Sequence, residues 1–291
     1  MNRREIDRID ALVRIGATPA RADKGYMARL LVQCTLPHSD PDPQLAYFER
    51  VNGDLRLAIQ PGPGQKIPSG SYPRLVLAWM SREVLKTKER TLVLGNSLSD
   101  FMWQLGLSPT GGRWGSITRL REQMKRLLTA RIVVTSENER RFRGGAMSIA
   151  TEWDLWWSPK SPEQATIWES TVTLGERLFN EMLHYPVPFD MRVLKQIKQS
   201  ALAIDLYLFS TYRMSYLKEP TAITWKQLHA QFGADYSGKY GYDNFRKECL
   251  KHLQSIKLAW PEFTFDTPRG RLRLYPSRPH IEPRPAAIMR G

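Results

Sequence analysis

Residues 3–15 place Ile6, Ile9 and Val13 at helical spacing, which predicts a short N-terminal helix. Two strand-like stretches, Ala46–Val51 and Asp54–Ile59, flank Asn52-Gly53, a dipeptide suited to a tight hairpin because both turn positions then take positive φ. Residues 61–71 are rich in Pro, Gly and Ser and read as a loop, after which Pro73 suits the first turn of a helix running to about Lys86.

From that point the order of elements carries information. Arg90–Leu94 reads as a short strand, Ser97 or Ser99 caps a helix through Leu105, residues 106–115 form a turn, and Ser116 to about Ala130 is a longer helix. Two strands, Arg131–Thr135 and Ala146–Ala150, enclose a basic loop holding Arg140, Arg141 and Arg143. Helix, strand, helix, helix, hairpin is the order of a winged helix. The order returns further on: a helix from Ser200 to Lys218, a strand at Thr221–Ile223, a helix capped by Thr224 and running to about Phe232, a turn at 233–241, a long helix Tyr242–Ser255, and a hairpin made of Glu262–Phe265 and Arg271–Tyr275. The two turns are alike, Gly112-Arg113-Trp114-Gly115 against Gly238-Lys239-Tyr240-Gly241. The expectation is an α+β chain of two tandem winged-helix domains: an N-terminal helix or arm at 1–24, the first domain at 25–158, a linker at 159–170 that begins around Ser158-Pro-Lys-Ser-Pro162, and the second domain at 171–291.

A helical wheel separates core from candidate chemistry. Ile117, Leu120, Met124, Leu127 and Leu128 fall in one arc, and the opposite face of the same helix collects Thr118, Arg119, Glu122, Lys125 and Arg126. Such a face offers guanidinium forks for guanine, a carboxylate for cytosine and a hydroxyl, although most charged helix faces are simply solvated. Arg113 and Ser116 stand at its start, where Trp114 either braces the turn or lies against a sugar-phosphate. In the second long helix Tyr242, Phe245, Cys249, Leu253 and Ile256 form the expected buried arc. Asn244, Lys247 and Lys251 point outward there, with Lys239 in the preceding turn. Asn244 either reads adenine or only supports the helix N-terminus. Arg269, Arg271 and Arg273 give the second hairpin a basic face opposite Leu272 and Leu274. Trp153 and Trp157, on one strand face with Leu155, are expected in packing rather than in base stacking.

Charge agrees with a polyanionic partner: Lys and Arg number 43 against 29 Asp and Glu, a net charge of +14 over 291 residues. The most apolar stretch, Ser200–Phe209, is short and interrupted by Asp205, so no membrane association is expected, and the charged start lacks the apolar core of a signal peptide. A bacterial cytoplasmic location follows as an expectation. His38, His184, His229, His252 and His280 are isolated, and Cys34 and Cys249 read as ordinary thiols, so neither a metal nor any other cofactor is expected. Gly62-Pro-Gly64 and Gly111-Gly112 lack a following GK[ST], and Asp40-Pro-Asp42 reads as a turn. Enzymatic chemistry has no visible home.

Ser97–Leu107 with Pro109–Leu127, together with Leu75–Trp79 and the Asn52-Gly53 hairpin, resembles the RepA family of replication initiators from broad-host-range plasmids, over about residues 25–135. The resemblance implies binding to repeated double-stranded DNA sites (iterons) at a plasmid origin, opening of the adjacent duplex, and recruitment of the host initiator and replicative helicase. It also implies a homodimer that represses its own promoter. The alternative is a winged-helix transcriptional repressor without a role in initiation.

Overall fold

A computed structural model describes residues 3–157, 161–163, 169–233 and 236–283. Helix α1 (Arg3–Gly16) is amphipathic and buries Leu12 and Ile15. Strand β1 (Lys24–Ala28), helix α2 (Arg29–Gln33) and the hairpin β2 (Phe48–Asn52) and β3 (Leu55–Gln60) follow. Next come α3 (Ser71–Thr87), β4 (Thr91–Val93), α4 (Leu98–Gln104), α5 (Ser116–Thr129), β5 (Arg131–Asn138), β6 (Arg141–Ser148) and β7 (Ala150–Asp154). Strand β8 (Thr171–Leu174), α6 (Glu176–His184), β9 (Pro186–Asp190) and α7 (Met191–Ile197) lead into a second series. It comprises α8 (Ala201–Met214), β10 (Thr221–Thr224), α9 (Trp225–Phe232), α10 (Gly241–Ala259), β11 (Phe265–Asp266) and β12 (Arg271–Leu274). The fold is mixed α+β, with four small antiparallel sheets among the described residues.

Local chemistry explains the boundaries of the repeated elements. Ser97 caps α4 by accepting from the Asp100 N–H, and Thr224 and Gln227 form a reciprocal capping box at the start of α9. The expected order α3-β4-α4-α5-β5-β6 recurs as α8-β10-α9-α10-β11-β12. Pairing differs between the two series. In the second, β10 pairs directly with the hairpin, in the order β10-β12-β11, whereas in the first β8 stands between β4 and β7 and the hairpin joins β2 and β3 as β2-β3-β5-β6. Strand β8 thus ties residues beyond 170 to the first series, and α6 packs on α3. In the other direction α1 packs on α10 and α7, and β1 pairs with β9 from Lys24↔Asp190 to Ala28↔Pro186. Two prolines suit β9 because its outer edge has no ladder that needs their missing N–H.

Several expectations shift. The first hairpin turns at Gly53-Asp54, since Asn52 still pairs with Leu55 and spends its side-chain amide on the Gln33 carbonyl at 3.0 Å; only Gly53 takes positive φ, at 59°. The basic loop after α5 is a longer hairpin whose strands reach Asn138 and Arg141, so Arg141 and Arg143 lie within β6. Helix α8 stops at Met214, where Ser215 and Tyr216 tighten into i→i+3 hydrogen bonds. Strand β11 is only Phe265–Asp266, because Trp260 to Phe263 form a turn stacked ring on ring at 5.0 Å. Tyr242 is exposed and tilts over His229, while Gly241 is buried in its place. Trp153 is exposed as well, whereas Trp157 stacks on Phe101 at 5.3 Å. Of the expected 159–170 linker only residues 161–163, 169 and 170 are described; the rest lies outside the described residues.

A buried ion pair joins the two series. Arg74 of α3 and Asp205 of α8 are 2% and 3% exposed and meet through two hydrogen bonds of 2.7 Å, Nε to Oδ1 and Nη2 to Oδ2. The guanidinium also donates to the carbonyls of Leu36, Pro37 and Gly70, at 2.6, 3.1 and 2.6 Å, and His38 Nε2 lies 2.8 Å from Asp205 Oδ2. Burial opposes ionisation of Asp205, but Arg74 beside it outweighs that and the pKa falls to about 2. The carboxylate's contribution to stability is therefore present above the ordinary range near ~3.9 and is lost as the pH falls through about 2. Asp205→Ala is expected to cost about 3–5 kcal/mol in urea denaturation, because it strands a buried guanidinium. Arg74→Met combined with Asp205→Leu is expected to recover most of that loss; equal losses in the single and double variants would contradict this.

Candidate nucleic-acid interface

The turn before α5 is built around glycine. Gly112 sits at φ 84° and its carbonyl accepts from the Gly115 N–H at 3.1 Å, while a Cβ on Gly115 would collide with the Thr110 carbonyl oxygen. Ser116 is buried and locks this turn: its Oγ donates to the Ser108 carbonyl at 2.6 Å and accepts from the Thr110 N–H at 2.9 Å. The turn aims α5 so that Ile117, Leu120, Met124, Leu127 and Leu128 are buried. Arg113, Thr118, Arg119, Glu122 and Lys125 are exposed. Arg119 Nη2 donates to the Trp114 carbonyl at 2.9 Å, and Thr118 Oγ1 to the Gly112 carbonyl at 2.9 Å.

The same construction precedes α10. Gly238 sits at φ 80° and its carbonyl accepts from the Gly241 N–H at 3.1 Å, while a Cβ on Gly241 would collide with the Tyr236 carbonyl oxygen. Lys239, Asn244, Lys247 and Lys251 are exposed on and before α10. Tyr240, at the N-cap of α10, provides no side-chain cap, and the Asn244 side chain makes no hydrogen bond among the described residues. Arg246, by contrast, lies over Trp225 at 5.9 Å. In the first hairpin Asn138 Oδ1 accepts from the Arg140 and Arg141 N–H groups at 3.1 and 3.0 Å, and Arg140, Arg141 and Arg143 are exposed. In the second, Leu272 and Leu274 are buried and Arg269 and Arg271 exposed. Arg273 is half-buried between Asp266, at 3.9 Å, and the Tyr275 hydroxyl, at 3.5 Å.

Both long helices border the α7–α8 junction. A cavity of about 560 Å³ lies between α5 and the junction, lined among others by Tyr72, Arg119, Glu122, Lys198 and Gln199. A second, of about 590 Å³, is lined by Arg4, Arg8, Gln196, Gln199 and Lys251. Gln199 lines both, so it lies between the cavity beside α5 and the one bordered by α1 and by Lys251 of α10.

Comparison with known proteins decides the family. A family model for plasmid-encoded RepA proteins, RepA_C, matches residues 67–227, which is more than half of the chain. The chain belongs to the RepA_C family. The match takes in residues 67–135 of the expected 25–135 resemblance, does not include residues 25–66 with the Asn52-Gly53 hairpin, and continues through α8 into α9. Two crystal structures of domains 2 and 3 of RctB, one of them of selenomethionine derivatives, are similar to this RepA_C protein. Identities are 11% and 13%, with TM-scores of 0.54, over 84% of this chain and 95% and 96% of those chains, so the likeness is one of fold. No curated protein matches.

Within this RepA_C protein two expected site residues change role. Ser116 is a brace inside the turn. Arg126 is buried, at 4% exposure, and does not belong to the outward face: Nη1 donates to Asp40 Oδ1 at 2.8 Å and Nη2 to Glu122. The loop carrying Asp40 covers the second half of α5, which a helical wheel of α5 alone cannot register. Burial opposes ionisation of Asp40, but hydrogen bonds from Ser69 and Arg126 outweigh it and lower its pKa. Lys198 and Gln199, which carry no pattern of their own in sequence, line the cavity beside α5, and Lys198 Nζ donates to the Gly106 carbonyl. Arg126→Ala is expected to lower stability by about 1–2 kcal/mol, discounted because both acids are half exposed. Base preference in binding-site selection is expected to stay unchanged. A shifted preference at unchanged stability would return Arg126 to the groove-facing set.

Proposed function

We propose that this RepA_C protein initiates replication of a plasmid by binding repeated double-stranded sites at the origin with two tandem winged-helix units. The first unit comprises residues 25–158 with β8 added, and the second the rest of residues 171–291 with α1 packed on it. The carrying observation is the duplication: two glycine-built turns each lead into an amphipathic helix with an exposed cationic face and a basic hairpin beyond it. In such units the second helix of the pair enters the major groove and the hairpin reaches the backbone. Arg119, Lys125, Asn244 and Lys247 read bases in this scheme, with Thr118 and Glu122 beside them. Arg113, Arg140, Arg141, Arg143, Lys239, Lys251, Arg269, Arg271 and Arg273 hold phosphates.

Opening of the adjacent duplex draws on binding energy and DNA deformation rather than on nucleotide hydrolysis. The host initiator and replicative helicase are the partners that the opened strand requires, and a homodimer repressing the promoter belongs to the same scheme. No helix among the described residues is long and apolar enough to cross a membrane.

Footprinting on the plasmid's own origin is expected to protect direct repeats, each site read by two halves centred about one helical turn, ~34–36 Å, apart. Protection of a lone inverted repeat at a promoter would favour the repressor instead. In binding-site selection Arg119→Ala and Lys247→Ala are expected to relax base preference in different halves of the site, at about 1–3 kcal/mol each. If both alter the same base pairs, or neither alters any, tandem reading is wrong.

A further inference from the structure

The two turn tips share more than their glycines. Trp114 and Tyr240 are among the more exposed large side chains, at 76% and 63%, and they hold corresponding positions immediately before α5 and α10. Each carries the cation of the preceding residue on its ring: the Arg113 guanidinium lies 5.1 Å from the Trp114 centroid, and the Lys239 ammonium 5.3 Å from the Tyr240 centroid. Among the described residues neither ring has another ring contact. Neither ring therefore contributes a core contact that would account for an aromatic there. Each turn takes positive φ at Gly112 or Gly238, is closed by the Gly115 or Gly241 N–H donating to that glycine's carbonyl at 3.1 Å, and leaves no room for a Cβ at 115 or 241. Each ring is presented from a fixed base at the end of a reading helix.

Resting on the proposed DNA reading, we propose that the Arg113–Trp114 and Lys239–Tyr240 pairs are twin grips on the sugar-phosphate backbone of duplex DNA, which set the depth and register of α5 and α10. The partner is argued from charge and shape. One face of each ring is taken by its cation, leaving the other face to lie flat on a deoxyribose. The cation beside it, already desolvated on one side by the ring, donates to the adjoining phosphate. Because sugar and phosphate are the same at every base pair, these contacts add affinity without base preference. The same cation–aromatic pair thus stands at both tips, in sequences with little else in common.

The test uses the full-length protein with an origin duplex, an unrelated duplex and a single strand of equal length. Trp114→Ala and Tyr240→Ala are each expected to weaken binding to both duplexes by the same factor, roughly three- to tenfold. The selected base pairs and the thermal midpoint should stay as in the wild type. Trp114→Phe and Tyr240→Phe should retain most of the affinity. Arg113→Ala should lower the slope of log affinity against log salt by about one, which the ring variants leave in place. Wild-type affinity for duplexes in both alanine variants would overturn the proposal, as would a loss confined to the single strand, which would make the rings base-stacking platforms. Failure of the wild type itself to bind any duplex would instead overturn the DNA reading on which the proposal rests.

Discussion

Arg74 and Asp205 lie 131 residues apart in the chain and meet in the interior at 2.7 Å. They sit on α3 and α8, the opening helices of the two repeated series, so the contact fixes how one series stands against the other. A forked guanidinium held on both carboxylate oxygens and on three carbonyls tolerates little rotation. Separation would leave two desolvated charges, a penalty far above that of an exposed pair. Strand pairing between β1 and β9 and the packing of α1 on α10 reinforce the same arrangement from either side. With α3 and α8 locked together, the α7–α8 junction is placed between α5 and α10, and Gln199 lies on the cavities of both.

This arrangement bears directly on the proposed function. Two separately tethered readers would each pay their own ordering cost and would tolerate variable spacing between half-sites. Two readers joined by a buried ion pair and a shared strand pairing have one spacing, set before DNA arrives. The turns ahead of α5 and α10 are closed by the Gly115 and Gly241 N–H groups donating to the Gly112 and Gly238 carbonyls, which sets how each helix is presented. Such preorganisation places the deformation on the DNA, which is where a protein that opens a duplex without hydrolysis needs it.

The sequence revealed much of what is encoded locally, although the short helices α2, α6 and α7 went unrecognised, α7 despite its Asp190 cap. The buried arc of α5 and most of that of α10 followed from helical periodicity, and Ser97 and Thr224 were recognisable as caps because they precede amphipathic runs. Strands β1, β8 and β9 were not legible: they are four or five residues long, β9 contains two prolines, and their pairing partners lie far away in the chain. Arg126 was misplaced on the outward face for a related reason, since the Asp40 loop that covers it comes from 86 residues earlier. Asp205 was visible as the one charge in an apolar stretch, but nothing near it in sequence named Arg74. The family likeness was readable because it rests on α4, α5 and the turn between them, where local pattern is strongest.

If the ion pair and its neighbours make the two proposed readers a single body with one spacing, affinity will depend sharply on the distance between half-sites. In an origin repeat whose DNA between the two half-sites is lengthened one base pair at a time, through a full helical turn, the gain from the second half-site is expected to be lost at the first insertions and not to return when about 10 base pairs restore the helical phase. Recovery at that insertion would show that the two units move independently, and would contradict the single spacing.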